Sequence, residues 1–229
     1  MKTAIVTGAS GNMGQAVVRK FLNEGYHVIG TVVNNDPVSL DISDEKFEQV
    51  VVDLMSEEDS ERFIQSVIEK YKSINVLVLT VGGFAMGSIA TTKTSDVYKQ
   101  YRLNFETAYN VVQPAFIQMI EQNSGRIFLV GSKPGLHAKD SKGMIAYGLG
   151  KSLIFRLAEL MNEEAKGTNV VTSVLVPGTI DTQPNRKSMP DADFSKWVKP
   201  EAIADATWFY CTEEAVVIRE PLVKLYNNA

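Results

Sequence analysis

The sequence predicts an α/β fold: one Rossmann-type, doubly wound parallel sheet of about seven strands with helices on both faces. Three observations lead there. Apolar β-branched runs alternate with helix-period segments along the whole chain. Several of those runs are apolar on both faces, as strands buried between two helix layers are. The first run also passes straight into a glycine-spaced turn that opens a helix. Strand, helix, strand repeated in this way demands right-handed crossovers and a parallel sheet. No linker-like stretch interrupts the pattern, so residues 1–229 are expected to form a single domain.

Strands are expected at 2–7 (KTAIVT), 27–33 (HVIGTVV), 49–53 (QVVVD), 75–81 (NVLVLTV), 126–131 (RIFLVG), 169–176 (NVVTSVLV) and 216–225. Between them 13–24, 57–72, 95–121, 144–165 and 200–212 read as helices. Ser56 followed by Asp59 is a capping-box-like start for the second helix, and Pro200 stands in a first turn, where a helix accepts proline. The segment 177–199 has no clear period. A structureless stretch of that length in a compact domain is usually functional, so it is expected to be a substrate loop.

Composition narrows the function. The chain has 229 residues, 45% apolar and 22% charged, with no repeat or like-charge block, which describes a globular protein rather than a disordered one. A formal net charge of −4 and the lack of a Lys/Arg-rich run argue against nucleic acid as a partner. Cys211 is the only cysteine, so no intrachain disulfide can form, as suits a reducing compartment. His27 and His137 lack metal-ligand spacing, and no metal is expected. The apolar start is broken by Gly8 to Gly14 well short of a signal segment, and no run reaches the ~18 apolar residues of a membrane span. A cytoplasmic protein without a membrane partner is expected.

The turn Gly8-Ala9-Ser10-Gly11-Asn12-Met13-Gly14 carries the first chemical signal. Glycines three apart let the backbone approach a pyrophosphate, which free N–H groups and the positive end of the helix dipole would hold. A second signal is Tyr147 and Lys151, four apart on one helix face. Ser132 stands just after the strand at 126–131, where strand ends line the crevice of an open α/β sheet. Asn104 sits inside a helical segment although its helix propensity is poor. The end of the second strand normally selects the dinucleotide, by a carboxylate for a ribose 2′-hydroxyl or an arginine for a 2′-phosphate. Thr31-Val32-Val33-Asn34-Asn35 offers neither charge, a slight lean toward NADPH over NADH.

Taken in order, the glycine turn, Asn104, Ser132, Tyr147-x-x-x-Lys151 and Pro177-Gly178-Thr179-Ile180-Asp181-Thr182 resemble the short-chain dehydrogenase/reductase family over nearly the whole chain. Within that family the likeness is greatest to the dihydropteridine reductases, through 81–87 (VGGFAMG), 143–148 (GMIAYG) and 180–197. The resemblance implies an NAD(P)H-dependent oxidoreductase that transfers hydride to a small substrate, first of all a quinonoid dihydropterin or related flat heterocycle. Tyr147 would donate a proton, its pKa drawn down by Lys151 together with the positive nicotinamide of an oxidised cofactor. Ser132 would bond the substrate, Lys151 would also hold the nicotinamide ribose, and Asn104 would anchor a water connecting the lysine to solvent. It further implies cofactor contacts from Val32, Val33 and Asn34, from Asp53 and Leu54 at the adenine, and from Val81, Gly82 and Gly83. Pro177 and Gly178 would bring Ile180 and Thr182 to the carboxamide. Phe84, Met86, Met144, Met189 and Trp197 are the expected substrate wall, with Arg186 and Lys187 as a rim. The intact Ser132 and Asn104 also suit an ordinary ketone or 3-oxoacyl thioester, and a non-catalytic dinucleotide sensor would need only the glycine turn. Wide apolar stripes on 95–121 and 144–165 point to a homodimer or homotetramer.

Overall fold

The computed structural model describes residues 2–36 and 40–227. Seven strands, β1 (Thr3–Thr7), β2 (His27–Val32), β3 (Phe47–Val51), β4 (Val76–Leu79), β5 (Ser124–Val130), β6 (Asn169–Pro177) and β7 (Leu222–Leu225), make one sheet in the order β3-β2-β1-β4-β5-β6-β7. Every neighbouring pair is parallel. Strand order reverses between β1 and β4, and the crevice outside the carboxyl ends at such a switch is where open α/β sheets bind ligands. The helices are α1 (Asn12–Asn23), α2 (Glu57–Tyr71), α3 (Thr94–Tyr101), α4 (Thr107–Glu121), α5 (Lys133–Leu136), α6 (Ile145–Glu164), α7 (Gln183–Ser188) and α8 (Pro200–Phe209).

Strand side chains alternate between two cores, as the two-residue period requires. Ala4, Val6, Val28, Val78 and Phe128 pack with α1 and α8, whereas Ile5, Ile29, Leu77, Leu129 and Val174 pack with α2, α4 and α6. Burial on both faces explains why the strands read as continuous apolar runs. Ser56 caps α2 as expected, its hydroxyl accepting the Asp59 N–H at 3.2 Å, and Pro200 begins α8. Among the described residues no helix is long and apolar enough to cross a membrane.

Three expectations need correcting. The helix foreseen at 95–121 is α3 and α4 joined by a π turn, Arg102–Glu106, which carries Asn104. The segment 177–199 is not structureless. Ile180 pairs with Val198, Thr182 caps α7 by accepting the Asn185 N–H, and Asp193 caps a 3₁₀ turn at Phe194–Lys196; these local side-chain bonds leave no apolar period to read. The strand foreseen at 216–225 is confined to β7, because turn bonds occupy Thr212–Ile218 and Pro221 stands before the strand.

Candidate active site

A cleft of about 560 Å³ lies along the carboxyl ends of β1 to β4 and beside α7. Its floor is the β1–α1 turn, where Gly8, Ser10, Gly11, Asn12, Met13 and Gly14 all line it. Gly8 has φ +62°, and a Cβ on Gly14 would stand 2.2 Å from the Gly8 carbonyl oxygen, so only glycine lets α1 start this close to β1. No side chain caps the start of α1. Its first N–H groups are left for an anion, the fit a pyrophosphate requires.

Val32 and Val33 line the cleft at the end of β2, Asp53 and Leu54 beyond β3, Val81 and Gly82 beyond β4, and Ile180 and Thr182 before α7. Of the other residues expected at the cofactor, Asn34, Gly83, Lys151, Pro177 and Gly178 lie outside the lining. The Gly178 N–H is committed to the Leu225 carbonyl at 2.8 Å. Two of the lining residues that were not foreseen carry polar chemistry of interest. Asn185 donates its side-chain N–H to the Ile180 carbonyl at 2.8 Å, fixing the turn that presents Ile180 and Thr182. Asp36 comes back to the cleft because Asn35 takes a left-handed φ of 56°, and Ser10 donates its hydroxyl to the Asp36 carboxylate. The tandem asparagines were the available signal, since asparagine tolerates that conformation. Thus the edge read as uncharged holds a carboxylate. Among the described residues no lysine or arginine lines the cleft.

The reactive side chains gather behind Gly82. Ser132 is buried at the N-cap of α5, where its hydroxyl accepts the Gly135 N–H at 3.2 Å. Tyr147 stands in the first turn of α6 with its phenol near the Ser132 hydroxyl. One turn on, Lys151 is 5% exposed and its Nζ donates to the Val130 carbonyl at 2.8 Å. Glycines permit this crowding: a Cβ on Gly135 would meet Lys151 Cβ at 2.6 Å, and one on Gly150 the Gln100 carbonyl at 2.9 Å. A Cβ on Gly82 would lie 3.1 Å from Lys151 Nζ and 2.8 Å from Asn104 Oδ1, so Gly82 joins the cleft to the reactive set.

Burial raises the Tyr147 phenol above its ordinary value, opposed by the neighbouring Ser132 hydroxyl. It pulls the Lys151 ammonium down to about 8. The Asn104 side chain, 1% exposed, is bonded to its neighbours in the chain. Its Nδ2 donates to the Gly83 carbonyl at 3.0 Å, and its Oδ1 accepts the Gly83 N–H at 3.1 Å.

Of the expected substrate wall, the Phe84 ring meets the Tyr147 phenol edge to face, centroids 5.2 Å apart, and is 61% exposed; Met86, 71% exposed, lies near Gly143, and Met189, at the end of α7, is 40% exposed. Met144 is half-buried, in a segment pinned by bonds from Gly87 N–H to the Gly143 carbonyl and from Ile145 N–H to the Gly87 carbonyl. Trp197 does not join this wall. It is buried against the Phe194 ring, centroids 4.7 Å apart, so its bulk fills the base of the 177–199 segment. Of the foreseen rim, Lys187 is exposed and Arg186 grips Asp181 through two hydrogen bonds of 2.6 and 2.8 Å.

Comparison with known proteins agrees with this arrangement. The family model described as short chain dehydrogenase matches residues 2–193. An acetoacetyl-CoA reductase of Acinetobacter sp. is 32% identical over 188 residues, 77% of this chain and 73% of the relative. A 3-oxoacyl-[acyl-carrier-protein] reductase of Thermotoga maritima is 23% identical over 228 residues, 93% of this chain and 92% of the relative. Among solved structures, the ligand-free aldohexose dehydrogenase of Thermoplasma acidophilum superposes with a TM-score of 0.83 at 24% identity, covering 98% of this chain and 91% of that one.

Proposed function

The chain belongs to the short-chain dehydrogenase/reductase family of NAD(P)-dependent oxidoreductases, and we propose that it reduces the carbonyl of a small ketone or 3-oxoacyl thioester. The observation that carries this reading is the pairing of Ser132 with Tyr147 beside the cleft, with Lys151 buried one helical turn further on. The names of the two reductase relatives support the substrate class.

A bound nicotinamide dinucleotide supplies the hydride. The β1–α1 turn would hold its pyrophosphate, Asp53 and Leu54 its adenine end, and Ile180 and Thr182 its carboxamide. The chain's own residues handle the oxygen. Ser132 donates a hydrogen bond to the substrate carbonyl and orients it against Tyr147. Burial keeps the Tyr147 phenol protonated at neutral pH, the state needed to give a proton to the forming alkoxide. Lys151 lies behind Tyr147 as the charge that stabilises the phenolate once the proton has left.

The nucleotide favoured by this geometry is NADH. The lean toward NADPH rested on an uncharged strand end, and Asp36 supplies the carboxylate that accepts from a ribose 2′-hydroxyl and repels a 2′-phosphate. A second substrate reading, a quinonoid dihydropterin, draws support from the exposed Phe84 and Met86, which suit a flat ring. Following NADH oxidation with acetoacetyl thioesters and small ketones beside quinonoid dihydropterin decides between them. Turnover of the pterin alone would overturn the carbonyl reading. The exposed Tyr109, Ile117, Leu149, Leu153 and Leu160 on α4 and α6 support a homo-oligomer. Sedimentation of Leu153→Glu as a monomer beside a dimeric parent is the expected check.

A further inference from the structure

Gln100, at the end of α3, is 4% exposed, and the proton-transfer chemistry makes no use of it. Its Oε1 accepts from Asn104 Nδ2 at 2.9 Å, and its backbone carbonyl accepts from the same nitrogen at 3.2 Å. Asn104 meanwhile brackets Gly83 with one acceptor and one donor, as a neighbouring strand would. An amide can make that bracket in one orientation only, since turning it over sets its nitrogen against the Gly83 N–H and its oxygen against the Gly83 carbonyl. Two acceptors from Gln100 converge on the nitrogen side and none on the oxygen side. They exclude the turned amide, because a buried oxygen facing two further oxygens is left without a donor. The residue next to the bracket is Phe84, whose ring packs on Tyr147.

We infer that Gln100 is a positioning residue that locks the Asn104 amide, and through Gly83 holds the 83–86 segment and its Phe84 ring over Tyr147. The inference rests on the reading of Tyr147 as proton donor only for its effect on rate; the clamp itself is independent of any reaction. The π turn at Arg102–Glu106 belongs to the same device, because it carries Asn104 to Gly83 while α3 still presents Gln100.

The test compares Gln100→Leu, which removes the acceptor, with Gln100→Glu, which restores one. Amide hydrogen exchange is followed in the segment containing Gly83. We expect exchange there about ten-fold faster in Gln100→Leu and close to wild type in Gln100→Glu, with the core strands unchanged in both. With whichever carbonyl substrate the wild type reduces, Gln100→Leu lowers kcat about ten-fold while KM for NADH stays put, and Gln100→Glu recovers the rate. Unchanged exchange at Gly83 in a folded Gln100→Leu protein, or equally fast exchange in both variants, overturns the inference. If no substrate is found, the proposed function fails while the exchange result still decides the clamp.

Discussion

Over β1 the cleft is shaped by atoms that are missing, since a Cβ on Gly14 would collide with backbone and Gly8 needs a left-handed φ. Over β5 and α6 the reverse holds, and the site is made by polar side chains pressed into the interior, with Asn104, Ser132 and Lys151 all nearly inaccessible. The first construction tolerates no added atom. The second tolerates no lost partner, because each buried polar group depends on another for its hydrogen bonds. One half therefore has the shape a pyrophosphate requires, and the other holds polar groups in states that are costly to bury.

The strongest test of that contrast is Tyr147→Phe, which removes one oxygen from the polar half and adds nothing to the glycine half. We expect kcat to fall by about 10²- to 10⁴-fold, the range for general acid catalysis, while NADH affinity measured by fluorescence titration holds. Near-normal turnover would sink the assignment of Tyr147, and lost nucleotide binding would mean the halves are not separable.

Lys151 gives the next largest effect, read in stability. Its folded value of about 8 lies below the ordinary 10.5, so between those values the unfolded chain binds more protons and stability rises with pH. Burial raises Cys211 and Tyr26 to about 12, and these pull the other way at high pH. Comparing wild type with Lys151→Met cancels them. The stability of Lys151→Met relative to wild type should shrink by about 2–3 kcal/mol between pH 7 and pH 10. Urea midpoints at the two pH values measure it, and parallel curves would mean Lys151 is not buried as a charge.

On the glycine side Gly14→Ala puts a methyl group into the Gly8 carbonyl. Overpacking of this kind costs about 1–3 kcal/mol, and here it should also loosen NADH binding. Gly25→Ala is the matched control. It has a left-handed φ of 81° but no atom within 4 Å, so its cost is backbone strain rather than collision and it should leave NADH affinity alone. Equal losses of NADH affinity in the two would remove the special status of the turn.

What the sequence made legible follows the same division. The glycine turn, β1 to β6 and the Tyr147–Lys151 spacing all carry a local period or motif, and each stands where expected. The bracket of Asn104 on Gly83 depends on residues 21 apart meeting in space, which no local pattern encodes. Trp197 was misplaced because aromatic composition cannot distinguish a ligand wall from packing. Asp36 was missed for a narrower reason: the strand end was read through Asn35, and the left-handed turn there returns the next residue to the cleft.

Asp36 also offers the finest test, because it is a charged side chain placed in the glycine half. Asp36→Asn keeps one oxygen to accept the Ser10 hydroxyl while it removes the charge and turns the other oxygen into an N–H donor. With the charge gone, a 2′-phosphate meets no carboxylate at that position, yet the cleft lining still offers no cation to attract it. The ratio of kcat/KM for NADH over NADPH should therefore fall about ten-fold without inverting fully, an effect of roughly 1.4 kcal/mol. Steady-state kinetics with both reduced nucleotides measures it. An unmoved ratio would transfer the choice of nucleotide to Thr31, which lines the same edge, and would leave the glycine half selecting by backbone and hydroxyl groups alone.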